Sequence, residues 1–132
     1  MSLKTKSIKS PRSVHDGLRI SVMSRHTLND GITPDPEIGS ASFDEWWPEL
    51  APRPSLIGAY YKRGLLWDVF EKKFRKYLSL PRQKEVLEKL VALSRTSHVT
   101  ILCIEPTPEH CHRRLIAEIC RGMDPLLKVS IE

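Results

Sequence analysis

The run Val99 to Ile104, read V-T-I-L-C-I, constrains this chain more than any other segment, because six apolar or β-branched residues in succession offer no polar face to water. A strand of that kind is buried on both sides, which places it in the middle of a sheet covered on two faces, the usual setting of parallel strands in α/β proteins. The residues beyond the strand narrow the fold further. Pro106 and Pro108 mark a turn after Glu105. Thr107 then suits a helix N-cap, Pro108 the first helical position, and Glu109 the positive end of the helix dipole. A helix is predicted from Pro108 to Arg121, stopped by Gly122.

The remaining elements fit around this unit. Leu18, Ile20 and Val22 alternate with Arg19, Ser21 and Met23, so residues 18–24 read as a half-buried strand. Leu3 to Ile8 reads as a shorter one, and Pro11 with Asp16-Gly17 supplies turn chemistry between them, which predicts an N-terminal hairpin. Residues 26–41 carry turn formers without periodicity and read as a long loop. Phe43 to Trp47 is a short strand or helical turn, and Ser55 looks like the N-cap of a helix ending near Gly64. Leu66, Val69, Phe70, Phe74, Tyr77 and Leu78 recur at helical spacing, and Val86, Leu87, Leu90 and Val91 define a second amphipathic helix from Arg82 to Ser94. Leu126 to Ile131 offers a last strand. The fold class expected is α/β: a small, mainly parallel sheet flanked by helices, centred on Val99 to Ile104, with the hairpin at its start.

Size and charge narrow the functions. The 132 residues, 40% hydrophobic and 28% charged, have the scale of a single globular domain over 1–132. A net charge of +5 favours anionic partners and permits nucleic acid without indicating it. No segment has the ~18 apolar residues that would cross a membrane, and the start is too polar for a secretory signal, so a cytoplasmic setting is expected. Cys103, Cys111 and Cys120 are odd in number and form no Cys-x-x-Cys pair, which argues against a disulfide framework. Nothing in the composition fixes an oligomeric state.

The segment C-I-E-P-T-P-E-H-C-H-R-R-L-I-A-E resembles the signature of the domain of unknown function 488 family. Asp16-Gly17 before a strand ending at Arg25, F-D-E-W-W-P-E-L-A-P, and the aromatic helix around Phe70 and Phe74 are similar to its compact YeaO-like branch. The resemblance implies a small α/β domain. One element departs from it: Ser24 stands where an acid is usual beside Arg25, and T-L-N-D-G replaces the aromatic, proline and second arginine.

The candidate site sits where the central strand meets the next helix. A helix N-terminus with nearby cations lowers a thiol from about 8.5 towards neutrality, so Cys111 is a candidate nucleophile, with Glu105 or His112 as its proton-transfer partner. Arg113, in the first helical turn, and Arg25 are the candidate ligand-binding residues, on the expectation that Arg25 and Glu105 both lie at strand ends, where open α/β sheets bind ligands. The expected ligand is a small molecule bearing phosphate or carboxylate, bound with thiol-dependent or acid–base catalysis open to it. Taken singly, Cys111 reads rather as a small buried hydrophobe and His112 as a hydrogen-bonded core residue; it is their joint placement that brings in the catalytic reading. Cys103 and Glu105 could converge on an ion, but His110 and His112 point apart on a helix, so no metal and no cofactor is expected. Trp46 and Trp47 face different ways, leaving at most one for stacking, and Lys72, Lys73, Arg75 and Lys76 read as a solvated helix face. The alternative from another class is a noncatalytic nucleic-acid-binding or regulatory module using the basic surface.

Overall fold

A computed structural model describes residues 1–132. The apolar run forms the strand predicted for it: five of the six residues of His98–Cys103 are buried, and this strand is the middle one of five. In chain order the strands are β1 (Ser2–Ser7), β2 (Leu18–Ser21), β3 (Glu45–Trp46), β4 (His98–Cys103) and β5 (Lys128–Ile131). They lie in the order β3-β2-β4-β1-β5, and every pairing is parallel. All five carboxyl ends therefore gather at one edge.

The expected N-terminal hairpin is not there. β1 and β2 do not pair with each other; they flank β4, with Leu3 and Leu18 both opposite Val99. The hydrophobic run of β4 needs two neighbours to satisfy its backbone, and taking β1 and β2 on either side buries it fully. Residues 8–17 consequently run back across β4 instead of reversing in a tight turn. Gly17 makes the crossing possible: its φ is +64°, and a Cβ there would lie 2.0 Å from the His98 carbonyl oxygen.

The two faces of the sheet differ in chemistry. Leu3, Ile20, Val99 and Ile101 belong to the main hydrophobic cluster, together with residues of the helices. On the alternate positions, Lys6, Arg19 and Thr100 all engage Asp16. Arg19 Nη1 donates to Asp16 Oδ2 at 2.8 Å, Lys6 Nζ donates at 3.1 Å, and Thr100 Oγ1 donates to the Asp16 backbone carbonyl at 2.7 Å. Arg19 and Asp16 are 1% exposed each, so this is a buried ion pair that seals the polar face beneath the crossing segment.

Four helices complete the chain: α1 (Pro54–Arg63), α2 (Trp67–Leu78), α3 (Pro81–Thr96) and α4 (His112–Met123), with a short 3-10 turn at Pro48–Leu50. Prolines at the first turn start α1 and α3. Gly64, at φ +71°, ends α1 as foreseen, while its N-cap is Arg53 rather than Ser55. α2 buries Phe70, Phe74 and Leu78, an i, i+4, i+8 stripe; Leu66 and Val69, assigned inward from spacing, are exposed. α3 buries Val86, Leu87, Leu90 and Val91. No helix is long and apolar enough to cross a membrane.

Candidate functional site

The carboxyl edge of β4 and the start of α4 meet as the sequence suggests, with a shifted frame. α4 begins at His112, four residues later than Pro108 and with Cys111 as N-cap in extended backbone (φ −133°, ψ 138°); it also runs past Gly122 to Met123. Residues 108–111 form a turn in which the Cys111 N–H donates to the Pro108 carbonyl. Capping signals at Thr107 to Glu109 are worth about 1 kcal/mol each. Burial of Cys111, His112 and Arg113, all 9% exposed or less, outweighs them and sets where the helix starts. His110 falls outside the helix, exposed, stacked on Trp67 at 4.9 Å.

The shift brings together a pair the sequence did not. Cys103, the last residue of β4, and Cys111 both turn inward, and their sulfurs and His112 Nδ1 all lie within 4.8 Å of one another. His112 is held on both sides of its ring. Nε2 donates to the Val22 carbonyl at 2.7 Å, and Nδ1 lies 3.4 Å from the Cys103 sulfur. A carbonyl only accepts, so the Nε2 proton is fixed there and Nδ1 is the atom presented to the thiol. Phe74 of α2 packs edge-on against the same ring.

The electrostatics separate the two sulfurs. Burial pushes the Cys103 thiol well up. Burial alone would do the same to Cys111, but the adjacent Cys103 thiol, the His112 ring, the Arg113 guanidinium and the Arg113 backbone N–H together bring it down to about 5. The surroundings thus favour the charged form at Cys111 and the neutral form at Cys103. Cys120, buried in α4 with no such neighbours, is pushed up to about 12.

Arg113 reaches this site from within. It is fully buried, and its guanidinium donates to the Glu105 carbonyl at 2.8 Å and to the Glu132 carbonyl at 3.3 and 3.4 Å. It thus ties the carboxyl ends of β4 and β5 across β1. No side-chain carboxylate pairs with it, and its charge bears on both thiols. Arg25 does not join the group. It is exposed, its guanidinium rests against Gly31 and its charge acts on Asp30. The strands it was expected to align are parallel neighbours, but β2 ends at Ser21, and the loop beyond carries Arg25 away from the sulfurs.

Glu105, partly exposed just beyond the end of β4, gains a partner that spacing could not indicate. Tyr61 of α1 donates its hydroxyl to Glu105 Oε1, and burial, Glu105 and the two nearby cysteines hold that phenol above its usual range. Cys103, Cys111 and His112 are close enough to face one ion, but the set fits a cation poorly. The buried Arg113 charge opposes it, Cys103 holds its proton, and Nδ1 is already engaged.

Of the aromatic pair, Trp47 is buried with Lys89 over its ring at 4.8 Å, and Trp46 is half-exposed with its Nε1 on the Met23 carbonyl. Along the basic helix face, Arg75 is neutralised by Glu71 and Glu118.

A parallel α/β sheet with a polarised thiol pair at its carboxyl edge defines the class of this protein. The model of the Active DUF488-N3 subclade matches residues 3–123, and the chain belongs to the DUF488 family. No curated protein matches it, and no solved structure does.

Proposed function

We propose that the chain is a thiol-dependent enzyme that binds a small phosphate- or carboxylate-bearing molecule at the Glu105/Cys111–His112–Arg113 strand-to-helix site. One arrangement carries this reading: the buried Cys111 sulfur caps α4 beside the Cys103 thiol and the His112 ring, and with Arg113 these surroundings lower its pKa against the effect of burial. A buried thiol in plain apolar surroundings goes the other way and is inert. In this assignment Cys111 is the nucleophile, Arg113 stabilises its charge, and His112 Nδ1 stands beside the thiols as a base. The Glu105–Tyr61 pair, at the partly exposed end of the same junction, moves the proton. The description "active" attached to the matching subclade agrees with a catalytic role.

Arg113 acts on an anionic ligand through its field rather than through a free fork of donors, because its N–H groups are already turned to backbone carbonyls. The mild net charge of +5 supports the same ligand class.

Iodoacetamide alkylation of Cys111, followed by peptide mass spectrometry across pH with Cys111→Ser as blank, tests the nucleophile. The expected midpoint lies well below that of a free thiol, about 8.5. A midpoint near that value, or a sulfur that never reacts in the folded protein, overturns the reading. Inorganic phosphate is expected to slow the same reaction saturably; the anion assignment falls if it does not. Steeply salt-dependent binding to nucleic acid that survives Cys111→Ser would favour the basic-surface module instead.

A further inference from the structure

The reactive-thiol reading uses Cys111 and leaves Cys103 without a chemical role, although it is the nearer of the other two sulfurs and the one His112 faces. Cys103 ends β4 and Cys111 caps α4. Their sulfurs lie within 4.8 Å, so modest side-chain rotation would bring them to bonding distance. Cys111 has extended rather than helical backbone, which leaves its side chain free of the helical turn. We propose that Cys103 and Cys111 form a peroxide-sensitive dithiol, oxidised in place to an intramolecular disulfide that removes the nucleophile from the site.

The oxidant implied is a hydroperoxide no larger than hydrogen peroxide, because both sulfurs are within 3% of full burial and a bulky disulfide could not approach in line. Cys111 thiolate attacks the outer peroxide oxygen, the O–O bond breaks, and the departing hydroxide takes a proton from solvent to become water. Cys111 is then a sulfenic acid. Cys103 next attacks that sulfur. Its proton passes to His112 Nδ1, 3.4 Å away, and from there to the hydroxide that leaves as the S–O bond breaks. One peroxide is reduced to two waters while two sulfurs are joined. The polarity of the pair suits this order: the sulfur that must attack first is the charged one, and the sulfur that must resolve keeps its proton until a base beside it can take it.

This inference rests on the reading of Cys111 as a reactive thiolate, and a single experiment separates the two. The reduced full-length protein is treated with a small excess of hydrogen peroxide and weighed intact. The expected product has lost two hydrogens and gained no oxygen. Cleavage after Glu105 or Glu109, between the two cysteines, should leave both halves joined until a reductant is added. Cys103→Ser should stop at the sulfenic acid, which a 1,3-dione captures on Cys111, and Cys120→Ser should behave as wild type.

A wild-type protein that keeps an oxygen on Cys111, that links Cys120 or two chains, or that is unchanged by peroxide overturns the dithiol. With a low alkylation midpoint, any of these sinks the disulfide alone. A free-thiol midpoint with the disulfide still formed would sink the nucleophile reading and leave the dithiol standing.

Discussion

At the scale of single residues, the sharpest dependence lies at Asp16, which the sequence presents only as half of a turn signal. Its carboxylate is buried against Arg19 and Lys6 and receives the Ser13 N–H. Burial opposes the charge, yet these partners hold the carboxyl down at about 2. The folded value is depressed below the unfolded one of about 3.9, so the contribution to stability is present above pH ~4 and is lost as pH falls through about 2. Asp16→Asn leaves Arg19 charged and buried without an anion, which costs about 3 kcal/mol at neutral pH. Urea unfolding from pH 7 down to pH 2 should show the gap between wild type and variant narrowing with acid; a gap independent of pH would mean the pair is not ionised in the fold. Arg19 is only three residues from Asp16, but the burial that makes the pair matter, and the arrival of Lys6 from β1, come from the crossing over β4 and were not legible in the sequence. The same limit applies to the thiols. Cys111, His112, Arg113 and Glu105 all sit at the strand-to-helix junction the sequence marked, but Cys103 meets Cys111 only because the helix starts at residue 112.

At the scale of elements, composition located nearly every strand and helix and misjudged one connection. Asp16-Gly17 does need positive φ, as a hairpin would, but here the requirement comes from close packing: the chain crosses the start of β4 at Gly17, with the His98 carbonyl where a Cβ would stand. Periodicity reports which face of a strand is buried and not which strand is its neighbour, so two half-buried strands close in sequence read as a pair. Two glycines with nearly the same φ separate the effects. Gly64 caps α1 at φ +71° with open space around its Cα, whereas Gly17 is at +64° and crowded. Gly64→Ala should cost about 1 kcal/mol, the price of the left-handed backbone. Gly17→Ala adds a clash with backbone and should cost at least about 2 kcal/mol more, or prevent folding. Equal melting-temperature losses for the two variants would show that the crossing over β4 is not tight.

At the scale of the whole molecule, stability and reactivity are set at different places. The main cluster of 19 buried residues lies between the helices and one face of the sheet. The site belongs to a separate cluster of five: Ile8, Met23, Leu102, Cys103 and Cys111. Ile38, Phe43 and Ile104 pack against this small cluster, whereas α1 buries no residue of its own, rests on the main cluster through Leu56 and Tyr60 and reaches Glu105 through Tyr61. Small clusters under loosely packed elements open locally, at a fraction of the global free energy. Two cysteines of the same helix region report the difference without any change to the protein. Cys120 is fully buried in the main cluster and should be labelled only through global unfolding, with the full urea dependence of that transition. Cys111 should be labelled through displacement of the 105–110 turn, which Tyr61 ties to α1, faster and with a much shallower urea slope. Tyr61→Phe removes the hydroxyl that holds α1 to Glu105 and should speed labelling of Cys111 several-fold while leaving Cys120 unchanged. Native-state labelling followed by mass spectrometry at low urea distinguishes the two routes. If both thiols share one rate and one slope, the site opens only when the whole fold does, and access for a ligand through local opening of the 105–110 turn is excluded.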